Sequence, residues 1–156
     1  MPLAPLRQLL DDHHVQYATI RHSPAYSAQM VAASTHTPGK AFAKPVMVKL
    51  DGKLAMAVLP ACHLIDFARL KEVARTDHTE LAHEEDFEAI FPGCEVGAMP
   101  PFGNLYGVEV LVDEALTENQ EIAFNAGSHR ELMRIAYHEY ESLVKPTVAQ
   151  FAYKPL

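Results

Sequence analysis

The sequence predicts an α+β fold, a mixed and curved β-sheet flanked by helices, on three observations. Strand-like and helix-like segments interleave, but hairpins outnumber clean βαβ units, which disfavours a Rossmann arrangement. Asp51-Gly52 stands between two apolar runs, the chemistry of a type I′ hairpin turn. The chain's 156 residues are 49% hydrophobic and 21% charged, and no composition break or internal repeat divides them, so residues 1–156 are expected to form a single domain.

The elements follow in order. Leu3, Leu6, Leu9 and Leu10 recur at helical spacing after Pro2 and predict a short amphipathic helix ending near His13 and His14. Tyr17 to His22 reads as a strand, and Ser27 as the N-cap of a short helix over Ala28 to Ser34. Thr37-Pro38-Gly39 forms a loop. Val46 to Leu50 and Lys53 to Leu59 are the two strands of the Asp51-Gly52 hairpin. Leu64, Phe67, Ala68 and Lys71 predict a helix over His63 to Arg75, and Glu84 to Ile90 a second, acidic one stopped by Pro92-Gly93. Tyr106, Val108, Val110 and Val112 alternate as a strand does, and Glu121 to Phe124 is a shorter strand. Ser128-x-x-Glu131 has the form of a capping box, predicting a helix from about His129 to Tyr140.

Thirteen Lys and Arg against twenty Asp and Glu give a net charge of −7, so the molecule as a whole repels nucleic acid and anionic membranes. Any polyanionic partner must be held locally. Cys62 and Cys94 are too few for a disulfide framework, and Met1 to Leu10 lacks the charged-then-apolar pattern of a leader, so a reducing cytoplasm is expected. The apolar stretch around Leu54 to Cys62 falls short of the ~20 residues that span a bilayer, so no membrane association is expected.

Three segments carry chemistry. Lys40, Lys44, Lys49 and Lys53 stand against one acid, Asp51, making this stretch basic within an acidic chain. Alternation puts Lys44 on the face of Val46, Val48 and Leu50, and Lys49 on the opposite face with Met47. If the first face is buried, Lys44 needs a carboxylate, or an anionic or carbonyl-bearing ligand, because a buried ammonium costs several kcal/mol unpaired. If Pro45 bulges the strand, Lys44 swings into water. The second segment, Gly97-Ala98-Met99-Pro100-Pro101-Phe102-Gly103, is a stiff loop whose backbone can approach a ligand, or else a turn between elements. In the third, Asn125-Ala126-Gly127-Ser128-His129, free N–H groups at the predicted helix start would hold an anion or developing oxyanion, with His129 at the rim; the alternative is a plain cap.

Other constellations carry less. Gly93-Cys94-Glu95-Val96-Gly97 is no nucleophile elbow, because Glu95 stands midway between the glycines. Cys94 served by His129 would be a thiol nucleophile, against the plainer reading of a buried inert thiol. His78 and His83 lack metal-ligand spacing, and a helix would put His129 and His138 on opposite faces, so no metal is expected. No P-loop or Gly-x-Gly-x-x-Gly offers a nucleotide cofactor a cradle.

Taken together, Ala43-Lys44 entering a hairpin, Gly97-x-x-x-Pro101 with Phe102-Gly103, and Asn125-Ala126-Gly127-Ser128-His129 resemble the YbaK/EbsC-like aminoacyl-tRNA deacylase family. That family is related to the editing domain inserted in bacterial prolyl-tRNA synthetases. The resemblance runs from Ser23-Pro24 to Pro146. It implies a barrel-like sheet, no cofactor, and hydrolysis in trans of the ester joining a wrong amino acid to tRNA. Mischarged tRNA would be the partner, delivered or not by a synthetase. It also implies roles: Lys44 as the catalytic anchor of the acyl-adenosine end, residues Gly97 to Gly103 around the aminoacyl group, and Gly127, Ser128 and His129 closing the pocket. Pro45 departs from the family's pattern by removing a backbone N–H beside Lys44. Met30 departs from it where relatives carry an acid three residues after the cap, and it joins the substrate-binding set. An aminoacyl ester is already reactive, so positioning water and stabilising the oxyanion can suffice without a side-chain nucleophile. A small pocket admits alanine or serine and excludes larger groups. Lys40, Lys49 and Lys53 would contact phosphates. Two other classes compete: a module of the same fold that binds tRNA or an aminoacyl ligand with little catalysis, and a Cys94-dependent thiol hydrolase.

Overall fold

The computed structural model describes residues 4–21, 38–91, 94, 98–128 and 130–155. The helix expected over Ala28 to Ser34 and the Pro92-Gly93 stop lie outside the described residues.

Helix α1 (Ala4–Asp12) buries Leu6 and Leu10, as its spacing requires, and leads into β1 (Tyr17–Arg21). The hairpin β2 (Ala43–Leu50) and β3 (Lys53–Pro60) turns at Asp51 and Gly52, whose φ of 52° and 82° are the paired positive values of a type I′ turn. Asp51 Oδ1 also accepts from the Asp77 and His78 N–H groups, at 3.0 and 2.8 Å, which ties the turn to the following loop. β2 begins earlier than its apolar run suggests, and Pro45 keeps register opposite Val58. The third strand, β5 (Thr79–Leu81), reaches only Val48 to Leu50, so no ladder hydrogen bond is lost at the proline.

Four expectations are corrected. The helix placed over His63 to Arg75 begins only at Phe67: Leu64–Ile65 forms β4, and α2 (Phe67–Ala74) is capped by Asp66, which accepts from the Ala68 and Arg69 N–H groups. The acidic helix is one turn, α3 (Glu84–Phe87), held where Asp86 accepts from the His83 N–H at 2.8 Å. The strand expected from Tyr106 starts at Glu109 as β6 (Glu109–Asp113), because Gly103–Tyr106 forms a 3₁₀ turn closed by Gly107 at φ 73°. The largest change concerns residues 129–140. After β7 (Glu121–Asn125), Glu131–Ala136 forms β8, and the helix α4 covers only Tyr137–Val144. Glu-Leu-Met-Arg-Ile-Ala is a fair helix former, but it is paired on both sides, with β1 and with β7, and that pairing overrides propensity. Ser128 Oγ accepts from Arg130 N–H at 3.2 Å inside the hairpin loop and caps no helix. His138 therefore stands on a helix that does not contain position 129.

The chain closes with β9 (Thr147–Ala149) and β10 (Ala152–Tyr153). One sheet has the order β5-β2-β3-β6-β9, antiparallel among its first three strands and parallel thereafter; a second is β1-β8-β7, antiparallel; β4 and β10 form a short pair. A parallel bridge between Phe42 and Ala123 joins the two large sheets into a curved but unclosed surface. Met47, Met56, Val58, Ile122, Phe124, Met133 and Ile135 point inward from both sheets to the main core, against α1 and Tyr140. The other face of the five-stranded sheet packs on Leu70 of α2 and on Phe151. The mixed α+β class and curved sheet are as expected. Among the described residues no helix is long and apolar enough to cross a membrane.

Candidate functional site

Alternation along β2 sends Ala43 and Met47 into the main core and Phe42, Val46, Val48 and Leu50 to the outer face. Lys44 belongs to the outer face, and because Pro45 stays in register the amine is not swung into water. Its ammonium is half-buried and donates to the His63 carbonyl at 2.9 Å. Burial holds the Lys44 pKa below the usual lysine value, a shift partly opposed by the neighbouring Cys62 sulfur. Cys62 Sγ lies 3.3 Å from His63 Nδ1, so a thiol and an imidazole flank the carbonyl that receives the amine.

The two loops expected to form the cradle do meet. Gly127 N–H donates to the Ala98 carbonyl at 2.8 Å, and Gly127 takes φ 89°, a conformation that favours glycine. The Ala126 N–H closes the β7–β8 hairpin on the Glu131 carbonyl at 3.0 Å. A hairpin loop, not a helix N-terminus, thus presents Gly127 and Ser128, and the helix-dipole argument for anion binding there does not apply.

The rest of the first loop is held by the core. Met99 and Phe102 side chains join the main cluster, and the Phe102 ring stands edge-on to Phe124 and Tyr140 with centroids at 5.5 and 5.2 Å. The Pro100 carbonyl accepts from the Phe102 N–H at 2.8 Å, and the Pro101 carbonyl from the Tyr140 hydroxyl at 2.7 Å. A Cβ at Gly103 would lie 3.1 Å from Val110 Cγ2 and 3.2 Å from the Val108 carbonyl oxygen, so glycine there permits close packing. Within 98–103 it is Ala98 that reaches the second loop. Met30, Gly97 and His129 lie outside the described residues.

Register relates Lys44 to the second loop. β2 and β7 leave the Phe42–Ala123 bridge in the same direction, so Lys44 and Asn125 each stand two residues beyond it. Phe42 and Ala123 share an apolar cluster with Ala61 and Leu132, on the face opposite the main core, and alternation sets Lys44 and Asn125 on that same face. Leu132 is also the register partner of Asn125. Asn125 is 4% exposed, and its Oδ1 has no hydrogen-bond partner among the described residues. It belongs to the third motif of the sequence but was not among the residues expected to bind; only the bridge reveals its face.

The other cations do not form one patch. Lys49 lies across the sheet from Lys44 and is paired with Asp86 at 3.1 Å, while Lys40 and Lys53 sit at opposite ends of the hairpin. Beside His63 opens a cavity of about 280 Å³ whose Arg69 and Lys154 are outnumbered by Asp113, Glu114 and Glu118, a lining with no net pull on phosphate. Cys94 packs against the main core, away from Lys44, and burial pushes its thiol pKa up, the reverse of an activated nucleophile.

Three comparisons with known proteins agree with this architecture. Residues 22–143 match the family described as the aminoacyl-tRNA editing domain. The multifunctional Ser/Thr-tRNA deacylase ProXp-y of Escherichia coli (strain K12) is 24% identical over 148 residues, 92% of this chain and 88% of that protein. A proline--tRNA ligase of Bacillus mycoides (strain KBAB4) is 29% identical over 73 residues, 47% of this chain, and the match spans only 13% of the ligase. Among solved structures, hypothetical protein APE2540 superposes with a TM-score of 0.84 at 17% identity, over 96% of this chain and 99% of that one. With the family matched over most of its length, the chain belongs to the aminoacyl-tRNA editing domain family.

Proposed function

We propose that this protein is an aminoacyl-tRNA deacylase that acts in trans, hydrolysing the ester between a small amino acid and the 3′-terminal ribose of a mischarged tRNA. The observation that carries the reading is the Lys44 ammonium, half-buried on an apolar face beside the strand that ends in the Gly127 loop. Water adds to the ester carbonyl, the carbonyl oxygen takes up negative charge, the C–O bond to ribose breaks, and the ribose oxygen leaves with a proton. Lys44 anchors the acyl-adenosine end and offsets the charge that develops. The backbone around Ala98 and Gly127 orients the acyl group. No covalent intermediate is required, since the ester is already activated.

The net charge of −7, the Lys49–Asp86 pair and the separation of Lys40 from Lys53 support modest tRNA affinity through few phosphate contacts, and so only a shallow fall with salt. A second reading, a binding module with little turnover, is favoured by Pro45, which removes a backbone N–H next to Lys44. The test is hydrolysis across a panel of aminoacylated tRNAs. Turnover confined to small acyl groups is expected; a panel that survives excess protein intact, with equal affinity for charged and uncharged tRNA, would replace the deacylase with the binding module.

A further inference from the structure

A buried polar atom without a partner is expensive, so an acceptor left open on the face of a proposed active site needs a reason. Asn125 Oδ1 is such an atom: the residue is 4% exposed and the oxygen accepts nothing among the described residues. Its surroundings are apolar, with Ala123, Leu132, Phe42 and Ala61 clustered on the same face. Among the described residues the register brings Lys44 to that face at the level of Asn125, and Arg134, the partner of Ala123 and paired with Glu121, stands on the same face one pair away.

We infer that Asn125 is a specificity-determining residue whose carboxamide oxygen accepts a hydrogen bond from a hydroxyl on the substrate's aminoacyl side chain, selecting seryl or threonyl over alanyl esters. This rests on the deacylase reading and says which small amino acid that site removes. The proposed donor is the ligand, since the described residues leave the oxygen unpaired. A neutral donor fits better than the α-ammonium, because a second cation on a poorly solvated face already holding Lys44 is repelled. An apolar pocket alone separates serine from alanine weakly, whereas a site built to bond a hydroxyl rejects the analogue lacking it, because its own polar atom is then left unpaired.

The experiment has two arms, each on wild type, Asn125→Leu, which keeps a branched side chain without the acceptor, and Asn125→Ala. The first measures kcat/KM for Ser-tRNA and Ala-tRNA; the second measures binding of non-hydrolysable 3′-seryl-amido and 3′-alanyl-amido adenosine. Wild type should prefer the seryl ester and the seryl analogue by about 10- to 100-fold. Both variants should lose that preference through the seryl compound alone, with the alanyl values within roughly threefold and the melting temperature unchanged or raised. Seryl and alanyl rates falling together would make Asn125 a structural residue and overturn the inference. Equal treatment of the two esters by wild type would overturn it while leaving the deacylase standing. If no aminoacyl-tRNA is hydrolysed, the deacylase reading fails, and the binding arm still decides Asn125: a seryl preference lost in Asn125→Leu upholds it, and equal affinities refute it.

Discussion

Replacing Lys44 with methionine separates a residue kept for chemistry from one kept for stability. Two opposing effects are removed together. The charged hydrogen bond to the His63 carbonyl, 2.9 Å long, is worth about 1.5–3 kcal/mol. Against it stands the cost of holding an ammonium half out of water, which is several kcal/mol for full burial and correspondingly less here. The thioether fills much the same volume, so no large cavity opens. The net change should be within about 1 kcal/mol, a shift in melting temperature of no more than roughly 2–4 °C. The pH dependence fixes the sign. Because burial lowers the Lys44 pKa, the unfolded chain holds this proton more tightly than the folded protein does. The penalty is therefore complete below the lowered folded pKa and is relieved as pH rises from there through the unfolded value of 10.5. Wild type should gain stability relative to Lys44→Met across that window. Chemical denaturation of both proteins at several pH values is the assay. A loss of more than about 3 kcal/mol in Lys44→Met, the range for breaking a buried pair, would show that Lys44 holds the fold together and would refute the argument.

Asp113, 1% exposed, accepts from the Phe151 and Ala152 N–H groups at 2.9 Å each and from Ala115 N–H at 3.0 Å, so Asp113→Ala strands two buried donors. It should cost about 3 kcal/mol or more and release Phe151 and the start of β10, read as a fall in melting temperature and as amide exchange at Phe151 and Ala152; a change under about 1 kcal/mol would remove the clamp from the account. Cys94→Ala should leave deacylation within roughly threefold, because burial raises that thiol's pKa and it packs on the opposite face from Lys44; loss of activity with the fold intact would restore the thiol hydrolase.

What was legible in the sequence depended on whether the deciding contact was local. The Asp51-Gly52 hairpin was readable because two adjacent residues determine its backbone, although the hydrogen bonds from Asp77 and His78 that brace it were not. The face of Lys44 followed from alternation, but its partner, the His63 carbonyl, lies nineteen residues away. The helix expected over 129–140 failed because Ser128-x-x-Glu131 satisfies a local rule that long-range pairing overrules: Leu132 stands between Ile20 and Asn125 in the three-stranded sheet. That misreading also assigned the Gly127 loop a helix dipole it does not have. Helical spacing at Leu64 failed for the same reason, since β4 exists only through its pairing with Ala152 and Tyr153. Asn125 stood in a motif already picked out, yet its relation to Lys44 depends on a single bridge between residues 42 and 123.

The most direct test of the central claim is single-turnover hydrolysis of one mischarged tRNA that the wild type cleaves, compared between wild type and Lys44→Met at saturating protein. Loss of one preorganised charge at the developing oxyanion predicts a first-order rate about 10²- to 10³-fold lower in a protein whose melting temperature moves by no more than roughly 2–4 °C. A Lys44→Met protein that clears the ester at the wild-type rate would contradict the assignment of that amine to the chemistry.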